Sequence, residues 1–305
     1  MNNSAQVLPI DRYRALVALD EPFAPARAAL PSEYSSLVRT ALAHLEQEGA
    51  GGKRSEALGG ASGPDDARLR LRALLTVRAP EPLPKLVQDA IDGVLQIELD
   101  ARSVVDVGML PRFSLPRSGV GPFCALWQGD ITMLKADAIV NAANSELLGC
   151  FRPFHACIDN AIHSAAGPRL REDCARIMRA QGALEPTGTT KATRAYNLPS
   201  RFVLHTVGPI VSGSLAATHE EELARAYRAC LDTAVRIGGV RSVAFCGIST
   251  GVFGFPREPA ARIALRTVGA WLAEHPSALD LVVFNVFSGE DGSAYLKALR
   301  SEGVR

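Results

Sequence analysis

Residues 137–144 read Asp-Ala-Ile-Val-Asn-Ala-Ala-Asn. The apolar run at 138–142 is short and bounded by polar residues, which predicts a buried strand. Asn141 and Asn144 near its end carry amides that suit sugar hydroxyls, although asparagine side chains also cap turns. This stretch therefore predicts a strand that leads into a polar, ligand-facing loop.

Four more apolar runs are bounded by turns and predict buried strands, at residues 123–127, 202–207, 243–248 and 281–287. Helical patterns lie between them, at residues 157–166, 168–181, 257–274 and 291–300. A further helix begins at Thr218, because Thr218 and Glu221 have the spacing of a capping box. This alternation predicts an α/β fold: a three-layer α/β/α domain with a mixed, mostly parallel sheet that binds ligands at the carboxyl ends of its strands.

The first part of the chain has a different pattern. Helices are predicted at residues 32–48 and 85–99, and the Gly-rich segment at 49–66 is predicted to be a flexible linker. Arg68, Arg70 and Arg72 could suggest nucleic-acid binding, but the leucines between and after them favour an amphipathic segment with a solvated basic face. We therefore divide the chain into a helical N-terminal extension, residues 1–120, and an α/β domain, residues 121–305.

Composition limits the classes of function. The chain has 305 residues, 47% of them hydrophobic, and a formal net charge of +1, which argues against disorder and against a surface that coats nucleic acid. No stretch approaches the roughly 18 apolar residues of a membrane span. The six cysteines are expected to be reduced. The sequence predicts a soluble, cytoplasmic protein that neither binds nucleic acid nor enters a membrane.

Cys150, His155 and Cys157 form a Cys-x-x-x-x-His-x-Cys cluster before a predicted helix. Thiolate and imidazole are ligands that suit Zn²⁺, and three protein ligands leave one tetrahedral position open, as in catalytic sites. Because three-ligand spacings are less diagnostic than paired ones, chance proximity is the competing interpretation.

Three loops follow predicted strands. Residues 128–132 carry the carboxylate of Asp130, which could accept a hydrogen bond from an exocyclic amine, and residues 141–145 carry the two amides. Residues 249–256 contain two glycines, and Pro256 suits the first turn of a helix. Backbone N–H groups there could bind a diphosphate.

Taken together, these motifs resemble a macrodomain over residues 124–301. The ordered matches are 129–132, 137–144, Ile162-His163-Ser164-Ala165-Ala166-Gly167, Pro186-Thr187-Gly188, 195–199, Leu204-His205-Thr206-Val207-Gly208-Pro209 and 248–256. Where the MacroD-type branch has a run of glycines before its catalytic aspartate, this chain has the metal-ligand cluster followed by Ile158 and Asp159. That departure resembles the zinc-containing microbial macrodomains, often linked to sirtuins, which act as protein-ADP-ribose hydrolases. Their helical N-terminal extension is similar to pieces of this one.

The resemblance implies roles for individual residues at an ADP-ribose site. Asp130 and Ile131 would recognise adenine, with Asn285 bordering the same pocket, although Asn285 could instead satisfy nearby backbone. Asn144 would contact the distal ribose, the one farther from adenine, and Phe255 would lie against that sugar unless it belongs to the core. The diphosphate would be wrapped by Ser249, Thr250, Gly251, Val252 and Phe253.

The resemblance also implies that the catalytic residue lies next to the cluster of Cys150, His155 and Cys157. Ile158 and Asp159 would contribute to the ADP-ribose site, with Asp159 as the catalytic carboxylate. His163, one turn later, faces the same side of the helix, but a packed histidine is the favoured interpretation.

The resemblance implies a zinc-dependent hydrolase, with one Zn²⁺ per chain, that removes mono-ADP-ribose from modified proteins. The linkage expected is an ester to Asp or Glu. Two alternatives stay open from the sequence: a module that binds ADP-ribose without cleaving it, and an O-acetyl-ADP-ribose deacetylase.

Overall fold

The computed structural model describes residues 7–49, 64–116 and 123–304. Most of the predicted Gly-rich segment, residues 50–63, lies outside the described residues, and so does the predicted domain boundary at 120 and 121. The end of that segment is helical, because a helix begins at Pro64.

The main sheet has six strands. In chain order, the strands are β1 (Val105–Asp106), β2 (Cys124–Gln128), β3 (Leu134–Lys135), β4 (Ala138–Ala143), β5 (Thr190–Arg194), β6 (Phe202–Val207), β7 (Ser242–Phe245) and β8 (Leu281–Val286). The main sheet runs β2-β8-β7-β4-β6-β5 and is parallel except for β5, while β1 and β3 pair separately. The mixed, mostly parallel sheet is confirmed.

All five predicted strands are present, although β7 ends at Phe245 rather than at residue 248. The sequence analysis missed β5, whose residues Thr-Lys-Ala-Thr-Arg are mostly polar. Lys191 of β5 is 1% exposed and pairs with buried Glu185 at 2.8 Å. A strand that buries an ion pair has no apolar run to reveal it.

Five helices cover the sheet within the described part of the α/β domain: α5 (Ile158–Ala166), α6 (Pro168–Gln181), α7 (Ala217–Ile237), α8 (Arg257–Glu274) and α9 (Gly289–Ser301). Alternate residues of the strands face opposite cores. Val140, Phe245 and Phe284 pack with α7, α8 and α9 in one cluster. Ile139, Ala244 and Val283 pack with α5 and α6 in another. The three-layer arrangement is therefore confirmed.

The predicted capping box at Thr218 is wrong. Helix α7 begins one residue earlier, at Ala217, so Thr218 lies within its first turn. The backbone N–H of Ala216 instead donates to Nδ1 of His219 at 3.1 Å. A histidine three residues after the cap takes the place of the expected glutamate.

Among the described residues, four α-helices precede the sheet: α1 (Ile10–Tyr13), α2 (Tyr34–Gly49), α3 (Pro64–Val77) and α4 (Lys85–Asp100). Helices α2, α3 and α4 share a small core of their own. Tyr13, in contrast, is 1% exposed within the main core, and its hydroxyl accepts a hydrogen bond from the N–H of Ala192. The N-terminal region thus packs on the α/β domain rather than standing apart.

The predicted solvated basic face of α3 is only partly correct. Arg68 pairs with Glu98 at 2.6 Å, and Arg70 pairs with Glu46, so both arginines join α3 to the other extension helices. Within the described ranges, no helix is both long and apolar enough to cross a membrane.

Candidate functional site

A cavity of about 770 Å³ opens at the carboxyl ends of the parallel strands. Its walls come from the loops that follow β4, β7 and β8, together with residues of α3, α5, α8 and α9. Cavities of roughly 300–1,000 Å³ are typical of sites for small molecules and cofactors. The position agrees with the rule for open parallel sheets, in which ligands bind beyond the strand ends.

The loop between β4 and α5 carries the predicted metal ligands. We call residues 150–157 the metal loop. The ligand atoms of Cys150, His155 and Cys157 all lie within 4.8 Å of one another, and Cys150 Sγ is 3.5 Å from His155 Nδ1. All three residues are half-buried and line the cavity. Two sulfurs and an imidazole this close together fit a tetrahedral soft cation such as Zn²⁺.

Two residues of α5 hold the metal loop in place. Cys157 is the N-cap of α5, where its Sγ accepts from the backbone N–H of Asn160 at 3.5 Å. Asn160 is 2% exposed, and its Nδ2 donates to the carbonyls of Arg152 and His155, each at 3.1 Å. One buried amide thus ties both halves of the loop to the helix.

The electrostatics of Cys157 favour a cationic partner. Burial, followed by the neighbouring Cys150 and Asp159, raises the pKa of this thiol to about 11, while the Asn160 N–H opposes the shift. A metal cation counters such a shift by stabilising the thiolate.

Asp159 lies in the first turn of α5 and is 6% exposed. Its Oδ1 accepts from Asn141 Nδ2 at 2.8 Å and lies 3.4 Å from His163 Nε2. Burial raises the pKa of Asp159 to about 6, and the Asn141 hydrogen bond and Arg171 oppose that shift. The carboxylate is therefore desolvated, oriented and on the cavity wall.

A second group of potential ligands lies behind Asp159. His163, Cys174 and His205 are all buried, with ligand atoms within 4.8 Å of one another. His205 already contacts Asn141 through Nδ1 at 3.1 Å and Thr193 through Nε2 at 3.0 Å. Burial lowers the pKa of His205 to about 3. This histidine is therefore a neutral core group that supports Asn141.

His163 is packed, as the sequence analysis favoured. It is 6% exposed, and a Cβ built on Gly149 would lie 2.9 Å from its ring. Gly149 also has a φ of +80°, so the residue before the metal loop must be glycine for two reasons.

The loop after β7 contributes a strained wall. Ser249 has a φ of +65°, which is uncommon for a residue with a side chain. Its Oγ is buried without a hydrogen-bond partner among the described residues, and Ser249 lines the cavity. Strain and an unsatisfied hydroxyl together mark this loop as a binding element.

Most of the residues predicted for the site line this cavity. The set comprises Asn144, Ile158, Asp159, Ser249, Thr250, Gly251, Val252, Phe253 and Asn285, together with the three metal-ligand candidates. Asn144 also caps its own turn, because its Oδ1 accepts from Glu146 N at 3.0 Å. Asn285 donates to the carbonyl of Gly129 at 2.9 Å. Both of the alternative roles considered for these amides are therefore present, and ligand contact by either residue stays a prediction.

Three predicted residues do not line the cavity. Phe255 is 2% exposed in the main core, so its expected place against a sugar is wrong and the core alternative is correct. Ile131 is 1% exposed in the other core. Asp130 caps the short turn that follows, accepting from Thr132 N at 3.0 Å and Thr132 Oγ1 at 2.7 Å. Asp130 and Ile131 directly follow Gly129, whose carbonyl accepts from Asn285, but neither of them lines the cavity, and their recognition of adenine stays a prediction.

The sequence analysis misjudged or missed other residues. Asn141, taken as a sugar-binding amide, is 0% exposed and instead holds Asp159. Phe287 is 76% exposed and lines the cavity just beyond β8. The apolar pattern predicts Phe287 as the last buried residue of the strand at 281–287, whereas β8 ends at Val286 and leaves the ring of Phe287 exposed. Arg72 of α3 also lines the cavity, which no local pattern indicated.

The fold and cavity define a three-layer α/β protein with a cavity at the carboxyl ends of the parallel strands of a mixed sheet. Residues 140–264 match the Macro domain family. The chain is 48% identical over 235 residues to a protein-ADP-ribose hydrolase from Treponema medium, covering 77% of this chain and 88% of that protein. It is 45% identical over 232 residues to a protein-ADP-ribose hydrolase from Staphylococcus aureus, covering 76% of this chain and 84% of that protein.

Solved structures of macrodomains have a similar fold. The Trypanosoma brucei macrodomain in complex with ADP-ribose is 32% identical, with a TM-score of 0.56 over 81% of this chain and 94% of that one. A mutant of the Oceanobacillus iheyensis macrodomain with ADPR is 36% identical, with a TM-score of 0.56 over 64% of this chain and 99% of that one. This chain belongs to the macrodomain family.

Proposed function

We propose that this protein is a hydrolase that removes mono-ADP-ribose from modified proteins, and that it belongs to the zinc-containing class of macrodomains. The relatives named protein-ADP-ribose hydrolases support the activity. The observation that carries the proposal is that Asp159 and Cys157 line the same cavity, which is large enough for a nucleotide sugar. Asp159 lies two residues after Cys157, and it is buried and oriented by Asn141.

In the proposed complex, the loop at 249–253 binds the diphosphate through backbone N–H groups, as its strained backbone and close approach to the cavity favour. Phe287 offers an exposed ring to the adenine base near Asn285. The distal ribose then lies between Asn144 and the metal loop. This order brings the modified carbon of the sugar to Asp159.

Asp159 acts on the attacking water. Asn141 holds one carboxylate oxygen, which fixes the orientation of the group, so Asp159 can accept the proton of a water that attacks the glycosidic carbon or the ester carbonyl. The proposed linkage is an ester to Asp or Glu, since an ester is labile enough to need little more than a positioned base.

Cys150, His155 and Cys157 would hold one Zn²⁺. When bound, this ion supplies Lewis-acid stabilisation of oxygen ligands at the sugar end of the cavity. The chain supplies the rest: Asn160 fixes the loop that carries the ligands, and the half-buried loop limits access of bulk water.

The test compares purified protein and two cysteine variants on peptides mono-ADP-ribosylated at Asp, Glu, Ser or Arg. Cys157→Ser removes the thiolate but keeps an oxygen that can cap α5, because serine is a favoured N-cap. Cys230→Ala is the matched control, since Cys230 is buried in the main core away from the cavity. Metal content, turnover and the Kd for ADP-ribose are measured for each protein.

We expect about one zinc per chain and turnover on the Asp and Glu substrates in wild type and Cys230→Ala. Cys157→Ser should lose both, while it still binds ADP-ribose. ADP-ribose binding without turnover by the wild type would favour a reader module. Release of acetate from O-acetyl-ADP-ribose without release from peptides would favour a deacetylase. Full turnover by zinc-free Cys157→Ser would reject the role of the metal loop.

A further inference from the structure

Arg72 brings a positive charge from the N-terminal extension to the candidate active site. It lies on α3 and lines the main cavity together with Phe151 and Arg152 of the metal loop. It also lines a smaller space between the extension and α5, where its neighbours include Asn160 and His163. Both neighbours follow Cys157 within two helical turns. Arg72 therefore lies beside the metal loop.

Arg72 differs from the other arginines of its helix. Arg68 pairs with Glu98, and Arg70 pairs with Glu46. Among the side chains described, those of residues 7–48, 67–116 and 123–304, no acidic group forms an ion pair with Arg72, and the Nε of Arg72 is buried without a hydrogen-bond partner. Burial, then the charges of Arg68 and Arg102, lower the pKa of Arg72. A half-buried guanidinium that has an unsatisfied Nε and no ion pair among the described side chains weakens the fold, so its presence calls for a functional reason.

The position of Arg72 is fixed relative to the metal loop. Arg171 of α6 donates to the carbonyls of Leu75 and Thr76 at the end of α3, at 2.9 and 3.0 Å. The same guanidinium donates to Leu148 at 2.7 Å and lies over the ring of Phe151 at 4.5 Å. Arg171 thus joins the end of α3 to the loop. Arg72, one turn before that end, is held at a set place on the cavity wall.

Arg152 adds a second positive charge to the part of the cavity wall near Arg72. It is exposed, lines the same cavity and forms no ion pair within the described part of the chain. Two guanidinium groups that form no ion pair among the described side chains therefore lie at the metal loop, Arg72 beside it and Arg152 within it. Guanidinium groups recognise carboxylates through paired, charge-assisted hydrogen bonds.

We propose that Arg72 is a specificity-determining residue that binds a carboxylate on the protein part of the substrate, so that the enzyme prefers modification sites flanked by acidic residues. This inference rests on the proposed function, which places the scissile bond at the metal loop. The protein lies beyond that bond, and Arg72 lies beside the loop. The diphosphate, in contrast, is assigned to the backbone of residues 249–253.

The experiment measures binding in the Asp159→Ala background, which prevents turnover during the measurement. Two labelled mono-ADP-ribosylated peptides carry the same modified residue, flanked either by Asp and Glu or by Asn and Gln, and free ADP-ribose is the third ligand. Arg72→Gln and Arg72→Lys are compared with Arg70→Gln, a matched control on the same helix that does not line the cavity. Thermal unfolding of each variant is followed in parallel.

We expect the parent to bind the acidic peptide about tenfold more tightly than the neutral one, which is the effect of one charge-assisted hydrogen bond. Arg72→Gln should abolish this difference, Arg72→Lys should keep part of it, and Arg70→Gln should keep all of it. The Kd for free ADP-ribose should stay unchanged. Arg72→Gln should also unfold at the same temperature or higher, because a purely structural arginine would lower it.

An equal loss of affinity for all three ligands in Arg72→Gln would indicate that Arg72 binds the nucleotide phosphates, and it would overturn the proposal. An unchanged preference of Arg72→Gln for the acidic peptide would also overturn it. Failure of the proposed function is separately visible. In that case wild-type protein would fail to cleave either peptide, whether or not it binds free ADP-ribose.

Discussion

A single buried amide sets the orientation of the candidate catalytic carboxylate. Asn141 Nδ2 lies 2.8 Å from Asp159 Oδ1 and 3.1 Å from His205 Nδ1. Thr193 Oγ1 lies 3.0 Å from the other ring nitrogen of His205. These contacts form a continuous polar chain from β5 through β6 and β4 to α5. Each member is buried, so losing one leaves the next without a partner.

Removal of the Asn141 amide is expected to impair chemistry more than binding. In Asn141→Ala, Asp159 keeps its burial but loses the hydrogen bond that orients it. We expect kcat to fall by about 100-fold, the order of effect that follows from misplacing a catalytic group by about 1 Å. The Kd for ADP-ribose, measured by calorimetry, should change little.

Thr193→Val is the matched control for that variant. It removes a buried polar contact from the same chain without touching Asp159. Its kcat should stay within a fewfold of wild type. Equal losses of kcat in the two variants would indicate general disruption of the core instead of positioning by Asn141.

Stability should fall in mild acid because His205 is buried in its neutral form. Its folded-state pKa is lowered to about 3 by burial. In the unfolded chain this histidine has its ordinary pKa of about 6.5, so below that pH it binds a proton that it does not bind in the folded protein. The stability from His205 is therefore complete above about pH 6.5 and is lost progressively as the pH falls toward 3.

Urea unfolding at pH 7 and pH 5 tests this effect by comparing wild type with His205→Gln. The wild type should lose about 2 kcal/mol more than the variant over this interval, at up to about 1.4 kcal/mol per pH unit for one proton. Parallel pH profiles for wild type and His205→Gln would contradict the assignment.

At the residue scale, the sequence distinguished types of side chain but not their directions. It placed Asn141 and Asn144 together at one strand end, yet Asn141 turns into the core and Asn144 lines the cavity. Phe253 and Phe255 likewise separate, with only Phe253 on the wall. The difference depends on the backbone path of each loop, including the φ of +65° at Ser249, which no side-chain pattern reveals.

At the element scale, the metal loop depends on the helix that follows it. Residues 150–157 contain no helix or strand. Asn160 binds two of the loop carbonyls, and Cys157 caps α5. Phe154 within the loop has a φ of +59°, an unfavourable conformation for a bulky residue. The loop therefore relies on α5 for its shape.

Asn160→Ala should weaken metal binding without removing a ligand. Loss of the two hydrogen bonds to Arg152 and His155 lets Cys150 and His155 move apart. We expect zinc affinity to fall by about tenfold, in the range found when groups that orient metal ligands are removed. Competition with a chromophoric chelator measures it.

Ser164→Ala is the control for Asn160→Ala. It removes only the hydroxyl that donates to Asn160 Oδ1 at 3.1 Å, so both bonds to the loop remain. Zinc affinity should stay close to wild type in this variant. Wild-type zinc affinity in Asn160→Ala would mean that the loop keeps its shape without the clamp.

The sequence predicts those strands and helices whose buried side chains are mostly apolar. The five predicted strands are mostly apolar and do not alternate, because parallel strands covered on both faces need no alternation. Strand β5 could not be recognised, since its second residue, Lys191, is buried by pairing with Glu185, five residues before the strand begins. The cavity followed from topology, because the predicted loops had to meet at one edge of the sheet. The contribution of α3 depended on packing between distant segments, which local patterns do not encode.

At the scale of the whole molecule, the extension packs against the α/β domain and contributes Arg72 to the cavity wall. Asp92 of α4 is 1% exposed and accepts from Arg169 at 2.7 Å and from Asn197 at 2.9 Å, both in the α/β domain. Arg171 adds its bonds to the end of α3. The interface is thus fixed by buried polar contacts, which hold one relative position more strictly than apolar packing does.

Arg171→Met should release this attachment and destabilise the protein. The substitution keeps much of the side-chain volume but leaves the carbonyls of Leu75, Thr76, Arg78 and Leu148 without their donor. Buried acceptors without partners cost about 1–3 kcal/mol each, although water can reach some of them, so we expect a loss of about 3 kcal/mol in the free energy of unfolding. Urea unfolding measures it, and limited proteolysis should show faster cleavage within α3.

Arg176→Met, on the same helix, is the matched control. Arg176 is 39% exposed, and its ion pairs within the described part of the chain are with Glu172 and Asp173 of its own helix. Its loss should therefore cost less than about 1 kcal/mol and leave α3 protected. Because Arg171 also lies over Phe151, its replacement should reduce the acidic preference assigned to Arg72 even though Arg72 itself is intact. A stable Arg171→Met protein with protected α3 and unchanged preference would show that the extension holds its place without this arginine.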